Sequence, residues 1–371
     1  MIIKQNETIS SFQLFFYMVI VQLNVATLTL PMYLYKESGH DGWISLLFSC
    51  LFSVCTIVLY SFLLKRFPNL TIFEICTFFF GKWFGGILKI CYILYFIFVA
   101  YLINQSYLFV FSKWVFPNSP TWGILLLLLI IGIYLGKENI RTMTRFFQLS
   151  FWTFLVIFIF SIEAFQQVDW KLLLPVAQVN FSHILKGSYM SYYFLHGFEC
   201  LLVVYPFVKG SHRKKIKSSI FSILVITLIN LFTVVLCFIF FSKKELQLIP
   251  EPTIYIFKTL TFFKELERLD LLFLSVWFVI IASSYVSYLN LANIGISNLI
   301  KRGNRLSTFS TITICIIVFL IGNFVPSSTG FIDLLIKTLS ISSFIFILFI
   351  PTLILCISLL FKIKSKEVKL S

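Results

Sequence analysis

Apolar runs separated by short polar connections set the pattern of this chain. They fall near residues 10–35, 42–64, 87–112, 119–136, 145–163, 187–208, 217–241, 269–298, 307–325 and 336–361. Each is close to or beyond the ~20 residues that a helix needs to cross the hydrocarbon of a bilayer. The pattern predicts an all-α integral membrane protein with about ten transmembrane helices, read as a single polytopic domain over 1–371. An even number of spans places both termini on the same side.

Composition agrees. The chain is 59% hydrophobic and 12% charged, with 46 phenylalanines; no soluble fold of 371 residues could keep so much apolar surface from water. The net charge of +15 would suit a nucleic-acid partner, but its distribution argues against one. With the N-terminus cytoplasmic, about two thirds of the 30 basic residues fall in inner segments, among them Lys65, Arg66, Lys137, Arg141 and the run Lys209 to Lys217. That is the positive-inside pattern, and it implies contact with anionic inner-leaflet lipid. No basic run is interleaved with base-stacking aromatics, so nucleic acid is not expected. Trp43, Trp114, Trp122 and Trp170 fall near predicted outer ends as interfacial anchors. The start of the chain reads without a signal peptide. The eight cysteines have no CxxC or zinc spacing and read as reduced apolar residues; neither a metal nor a cofactor is expected.

The spans repeat. The first five and the last five start at offsets near 180 residues, giving halves of about 8–165 and 180–362. Each half has a long connection between its second and third spans, Pro68 to Thr77 and Pro250 to Thr259. Both follow Pro-x-x-Thr-Ile-aromatic-x-x-x-Thr and predict short amphipathic helices on the membrane surface. Five is odd, so the halves insert in opposite senses, as in transporters whose sites lie where broken helices meet at the midplane.

That symmetry directs attention to spans 1 and 6. Span 6 contains His196-Gly197-Phe198-Glu199 in an otherwise apolar run, with Pro206 beyond it. A carboxylate at bilayer depth costs on the order of 2.5–3.5 kcal/mol or more and faces a cavity or a partner. Glu199 could bind a ligand amine, carry a proton, pair with His196, or hold a broken-helix backbone group. Span 1 offers Asn24-Val25-Ala26-Thr27, where Asn and Thr can satisfy freed backbone groups or bond between helices. Flanking spans 3 and 8 supply Tyr101 and Asn104, and Ser284 and Tyr288, at helical spacing. Glu267, Arg268 and Asp270 gather at the outer start of span 8, as a charge-paired cap, an outer gate or a partner contact.

Several further motifs run through the chain in order. They include Ile9-Ser10-x-x-Gln13, Gly39-His40-Asp41-Gly42-Trp43, Pro68-Asn69-Leu70-Thr71, Phe80-Gly81-Lys82-x-x-Gly85 and Gly136-Lys137-Glu138-x-x-Arg141. Leu174-Pro175-Val176, Gly197-Phe198-Glu199, Tyr205-Pro206-Phe207, and Glu267-Arg268-Leu269-Asp270 with Trp277 complete the set. In these the chain resembles the spore germination permeases, the GerAB-type B subunits of germinant receptors in the amino acid–polyamine–organocation superfamily. The resemblance implies a LeuT-like 5+5 inverted repeat with helices 1 and 6 broken. It also implies location in the spore inner membrane and assembly with an A subunit and a lipoprotein C subunit. The expected ligand is a small nutrient: an amino acid, sugar or nucleoside. Span 1 departs from related amino acid permeases, which often carry glycines at the break; this chain has none there.

Two functions share the predicted pocket. One is a receptor subunit that binds a germinant and passes a conformational change to partner subunits. The alternative is a proton- or sodium-coupled amino acid or nutrient permease. An enzyme is not expected, because the chain has no paired catalytic carboxylates, HExxH, phosphate-binding loop or nucleophile elbow.

Overall fold

The computed structural model describes residues 7–260, 268–300, 304–325 and 328–364. A two-residue strand, β1 (Ile9–Ser10), leads into α1 (Ser11–Gln22) and α2 (Ala26–Ser38), the two halves of span 1. Then follow α3 (Gly42–Arg66), α4 (Ile72–Trp114), α5 (Thr121–Gly136) and α6 (Ile140–Phe160), and with them spans 2 to 5. Span 6 consists of α7 (Phe181–Phe194), a break, and α8 (Leu201–Val204) running into a turn at Tyr205–Phe207. After β2 (Val208–Lys209) come α9 (His212–Phe240), short helices α10 (Lys243–Leu248) and α11 (Pro252–Thr259), then α12 (Leu269–Ile300) and α13 (Asn304–Phe324). Span 10 is α14 (Thr329–Ser343) continuing through Phe344–Phe349 into α15 (Ile350–Leu360).

The ten expected spans are present, and helices 1 and 6 are broken as expected. Six helical stretches among the described residues are long and apolar enough to cross a membrane on their own, and shorter apolar helices supply the rest. Several spans extend beyond their apolar runs, because basic and polar residues at a helix end carry no hydrophobic signal. Span 3, expected from 87, begins just after Gly81, where φ of 72° turns the chain sharply. Only glycine reaches that region cheaply.

The residues before Gly81 form the first expected surface helix. Thr71 caps it: its N–H donates to Glu74 Oε2 at 2.9 Å while its side chain accepts the Glu74 backbone N–H, a reciprocal capping box. The second expected surface helix is α11. The preceding α10 has a similar box from Ser242 and Glu245.

The broken helices occupy the centre. α1 packs on α6, α9 and α12; α2 and α7 pack on each other and on α3; α4 runs along α12. The α3–α7 contact is lined with small residues. Ser49 donates to Ser188 O at 2.8 Å and Ser45 to Ile184 O at 3.0 Å. At Gly187 an added Cβ would lie 2.0 Å from Ser38 Oγ. Small side chains let membrane helices approach closely, and each such hydrogen bond contributes about 0.6 kcal/mol.

Span 10 has a wide turn with a definite cause. Pro351 has no N–H to give to Ile347, four residues back, and Ile350 N–H reaches five residues back to Ile345 O. This leaves the carbonyls of Phe346 and Ile347 open. Tyr92 from span 3 and Tyr60 from span 2 each donate to one of them at 2.9 Å.

At one end of the bundle, Asp41 accepts the backbone N–H groups of Ala177, Gln178 and Val179 at 2.8–3.0 Å. The long 5–6 loop is thereby pinned to the start of span 2. At the opposite end, β1 pairs in parallel with β2, Ile9 beside Val208 and Ser10 beside Lys209.

Candidate ligand cavity at the meeting of two broken helices

Gly197 makes the break in span 6. Its φ is 124°, a conformation that L side chains rarely adopt. A Cβ at this position would come within 2.8 Å of Gln22 Cγ and 2.9 Å of Gln22 N. The two breaks therefore touch, with the end of α1 lying on the bare face of Gly197.

Glu199 closes the span 6 break on itself. Its Oε2 accepts the Gly197 N–H at 2.8 Å, and its Oε1 accepts the Tyr288 hydroxyl at 2.6 Å. The side chain is 2% exposed, so these partners replace the water it lacks. Ser284 does the corresponding work in span 1. Its hydroxyl lies 2.9 Å from Ile20 O, 3.0 Å from Leu23 O and 3.3 Å from Val21 O, at the carbonyl end a helix leaves unpaired.

A cavity of about 180 Å³ lies beside this junction. Asn24, Val25, His196 and Tyr288 form its floor. Ile103, Phe194 and Ile336 supply apolar wall, and Tyr33, Lys36 and Asp333 stand at the exposed end. Tyr33 donates to Asp333 at 2.7 Å, joining the outer half of span 1 to span 10 across the mouth. An apolar pocket with a few convergent polar groups is the usual form of a small-molecule site.

The sequence-derived candidates divide here. Asn24, Val25, His196 and Tyr288 line the cavity. Ala26 opens α2, and Thr27, the next residue, is buried. Gly197, Phe198, Glu199 and Ser284 lie behind the floor and shape it. Tyr101 and Asn104 do not line the cavity: Asn104 and its neighbour Gln105 approach span 9 at Gly322, whose carbonyl accepts from Gln105 at 3.1 Å. At the start of span 8, Arg268 pairs with buried Asp270 through two bonds of 3.1 and 3.2 Å, which raise the guanidinium pKa. Glu267 lies outside the described residues.

Sequence reasoning passed over Tyr33, Lys36 and Asp333. Thr29, Met32, Tyr33 and Lys36 line the cavity at i, i+3, i+4, i+7, a helical face visible in the sequence. Asp333 lies just before the predicted run of span 10, among connection residues where an acid carries no signal of its own.

His196 differs from its neighbours. It is 3% exposed, it lines the cavity, and among the described residues neither ring nitrogen has a hydrogen-bond partner. Its Nδ1 is 3.6 Å from Glu199 Oε1, beyond hydrogen-bond length.

Comparison with known proteins places this geometry in context. A crystal structure of MhsT in complex with L-phenylalanine superposes with a TM-score of 0.70, covering 98% of this chain and 92% of that one at 12% identity. The fold is thus LeuT-like. GerQB, a spore germination protein of Bacillus cereus, is 29% identical over 72% of this chain and 74% of its own length. Spore germination protein A2 of Bacillus subtilis (strain 168) is 25% identical over 79% and 80%. YndE of the same organism is 21% identical over 76% and 78%. The family model described as Spore germination protein (Spore_permease) matches residues 8–328. A multi-pass membrane protein with this fold and these relatives belongs to the Spore_permease family of spore germination proteins.

Proposed function

We propose that this chain is the B subunit of a spore nutrient-germinant receptor. It binds a small germinant in the cavity between the broken helices and, with A and C subunits, triggers germination from the spore inner membrane. Both termini face the spore core. The observation that carries the reading is the cavity, set at the junction of the two breaks. Its floor is polar, its wall apolar, and its mouth bridged by Tyr33 and Asp333. An engineered cavity of about 150 Å³ admits benzene, so about 180 Å³ suits a nutrient of amino acid size. Ligand binding would favour one arrangement of spans 1 and 6 by its differential affinity.

The test uses spores in which this chain and its A and C partners form the only nutrient receptor. Germination is followed over a panel of the twenty L-amino acids, glucose and inosine. A response that disappears on deletion of this chain is expected. Uptake of the same nutrient by vesicles containing this chain alone would favour the permease reading. Failure of every nutrient to trigger the spores would reject the receptor role.

A further inference from the structure

We infer that His196, rather than Glu199, is the residue that reads the polar head of the ligand, and that this head carries an N–H donor. The inference rests on the receptor reading above and names the ligand chemistry of the same cavity.

Glu199 is already engaged. Each of its oxygens accepts a short bond from the protein, one from the backbone of the break and one from Tyr288. It does not line the cavity, and an amine reaching it would have to displace one of those donors. His196 has the opposite properties. It is buried, it lines the floor, and both nitrogens lack a protein partner. A buried imidazole left without a hydrogen-bond partner is destabilising, and a ligand in the cavity would relieve that cost.

The orientation of the ring decides what it reads. Nδ1 faces the Glu199 carboxylate at 3.6 Å. Oε1 on that side already serves as an acceptor, for the Tyr288 hydroxyl, and an acceptor facing Nδ1 favours the proton there, since the tautomer follows the environment of each nitrogen. Nε2 is then an acceptor. The ligand must donate to it, through an ammonium, amide or ring N–H. Glu199 acts on the ligand only through His196 and is a positioning residue. The flanking wall of Ile103, Phe194 and Ile336 asks for a compact apolar body behind that head.

The inference is tested in the same single-receptor spores, with His196→Met, which removes the acceptor at similar size, and His196→Gln, whose amide carbonyl can accept. Each nutrient that triggers germination is compared with its des-amino analogue, L-leucine with 4-methylpentanoate for example. Protein level is followed by immunoblot. For wild type, removing the N–H should raise the half-maximal concentration by about tenfold or more, as for loss of one bond involving a charged group. His196→Met should bring the nutrient and its analogue to within about twofold of each other, while His196→Gln should keep most of the difference. A germinant with no N–H would overturn the inference and leave the receptor role standing. So would a His196→Met protein that accumulates normally and still discriminates. If His196→Met does not accumulate, His196→Gln decides: a normal level with discrimination lost also rejects the inference. If no nutrient triggers wild-type spores, both readings fall.

Discussion

Glu199 and His196 stand one helical turn apart in span 6 and have different tasks. Glu199 is bonded on both oxygens and fixes the break; the imidazole has no hydrogen-bond partner among the described residues and lines the cavity. The charge at bilayer depth was legible in the sequence, because so few residues of that kind occur in the apolar runs. Which of its possible partners it takes was not, because that depends on Tyr288, 89 residues away. Tyr288→Phe should leave Glu199 Oε1 without its donor and destabilise the purified protein by about 1–3 kcal/mol, read as a lower melting temperature in detergent. Gly197→Ala should be more damaging. Backbone strain at such a φ costs on the order of 1–3 kcal/mol, and the added methyl must also displace the Gln22 backbone. Little of this variant should accumulate in the membrane.

At the scale of the element, the spans and their breaks were readable because lipid leaves the chain few options: every buried backbone group must find a partner within the protein. The two surface helices were readable for a related reason, as amphipathic stretches between spans. Cavity-lining faces were harder to read. In span 3 Asn104, which looked suited to a ligand, approaches the backbone at Gly322 with its neighbour Gln105, and the cavity is lined there by Val99, Leu102, Ile103, Ser106, Phe109 and Val110, of which only Ser106 is polar. Polarity inside a membrane helix marks a need for a partner, which another helix can meet as well as a ligand. The turn in span 10 shows the same economy. Tyr60→Phe should cost about 1–3 kcal/mol by leaving Ile347 O open. In a Pro351→Ala background, the restored N–H can take that carbonyl, so the same change should cost roughly half as much or less. A double-mutant cycle on melting temperature measures the coupling.

For the whole molecule, the cavity mouth at Tyr33 and Asp333 and the β1–β2 pair mark the ends of the bundle, and the alternation of basic connections predicts that the mouth faces outward. Single cysteines at Ser119, expected outside, and Lys137, expected inside, test the orientation in a background lacking the native thiols. In sealed right-side-out vesicles a membrane-impermeant maleimide should label the first and spare the second; the reverse would invert the topology. The β1–β2 strand pair also bears on biogenesis. Ser11 Oγ donates to Lys209 O across 198 residues of sequence, and β1 has no sheet partner among the described residues other than β2. At synthesis rates of about 5–20 residues per second, the start of the chain waits on the order of 10–40 s for that partner to leave the ribosome. Until then span 1 must remain in the membrane with its inner end unsealed. The order in which the chain is made thus requires five spans to be in place before the first is secured.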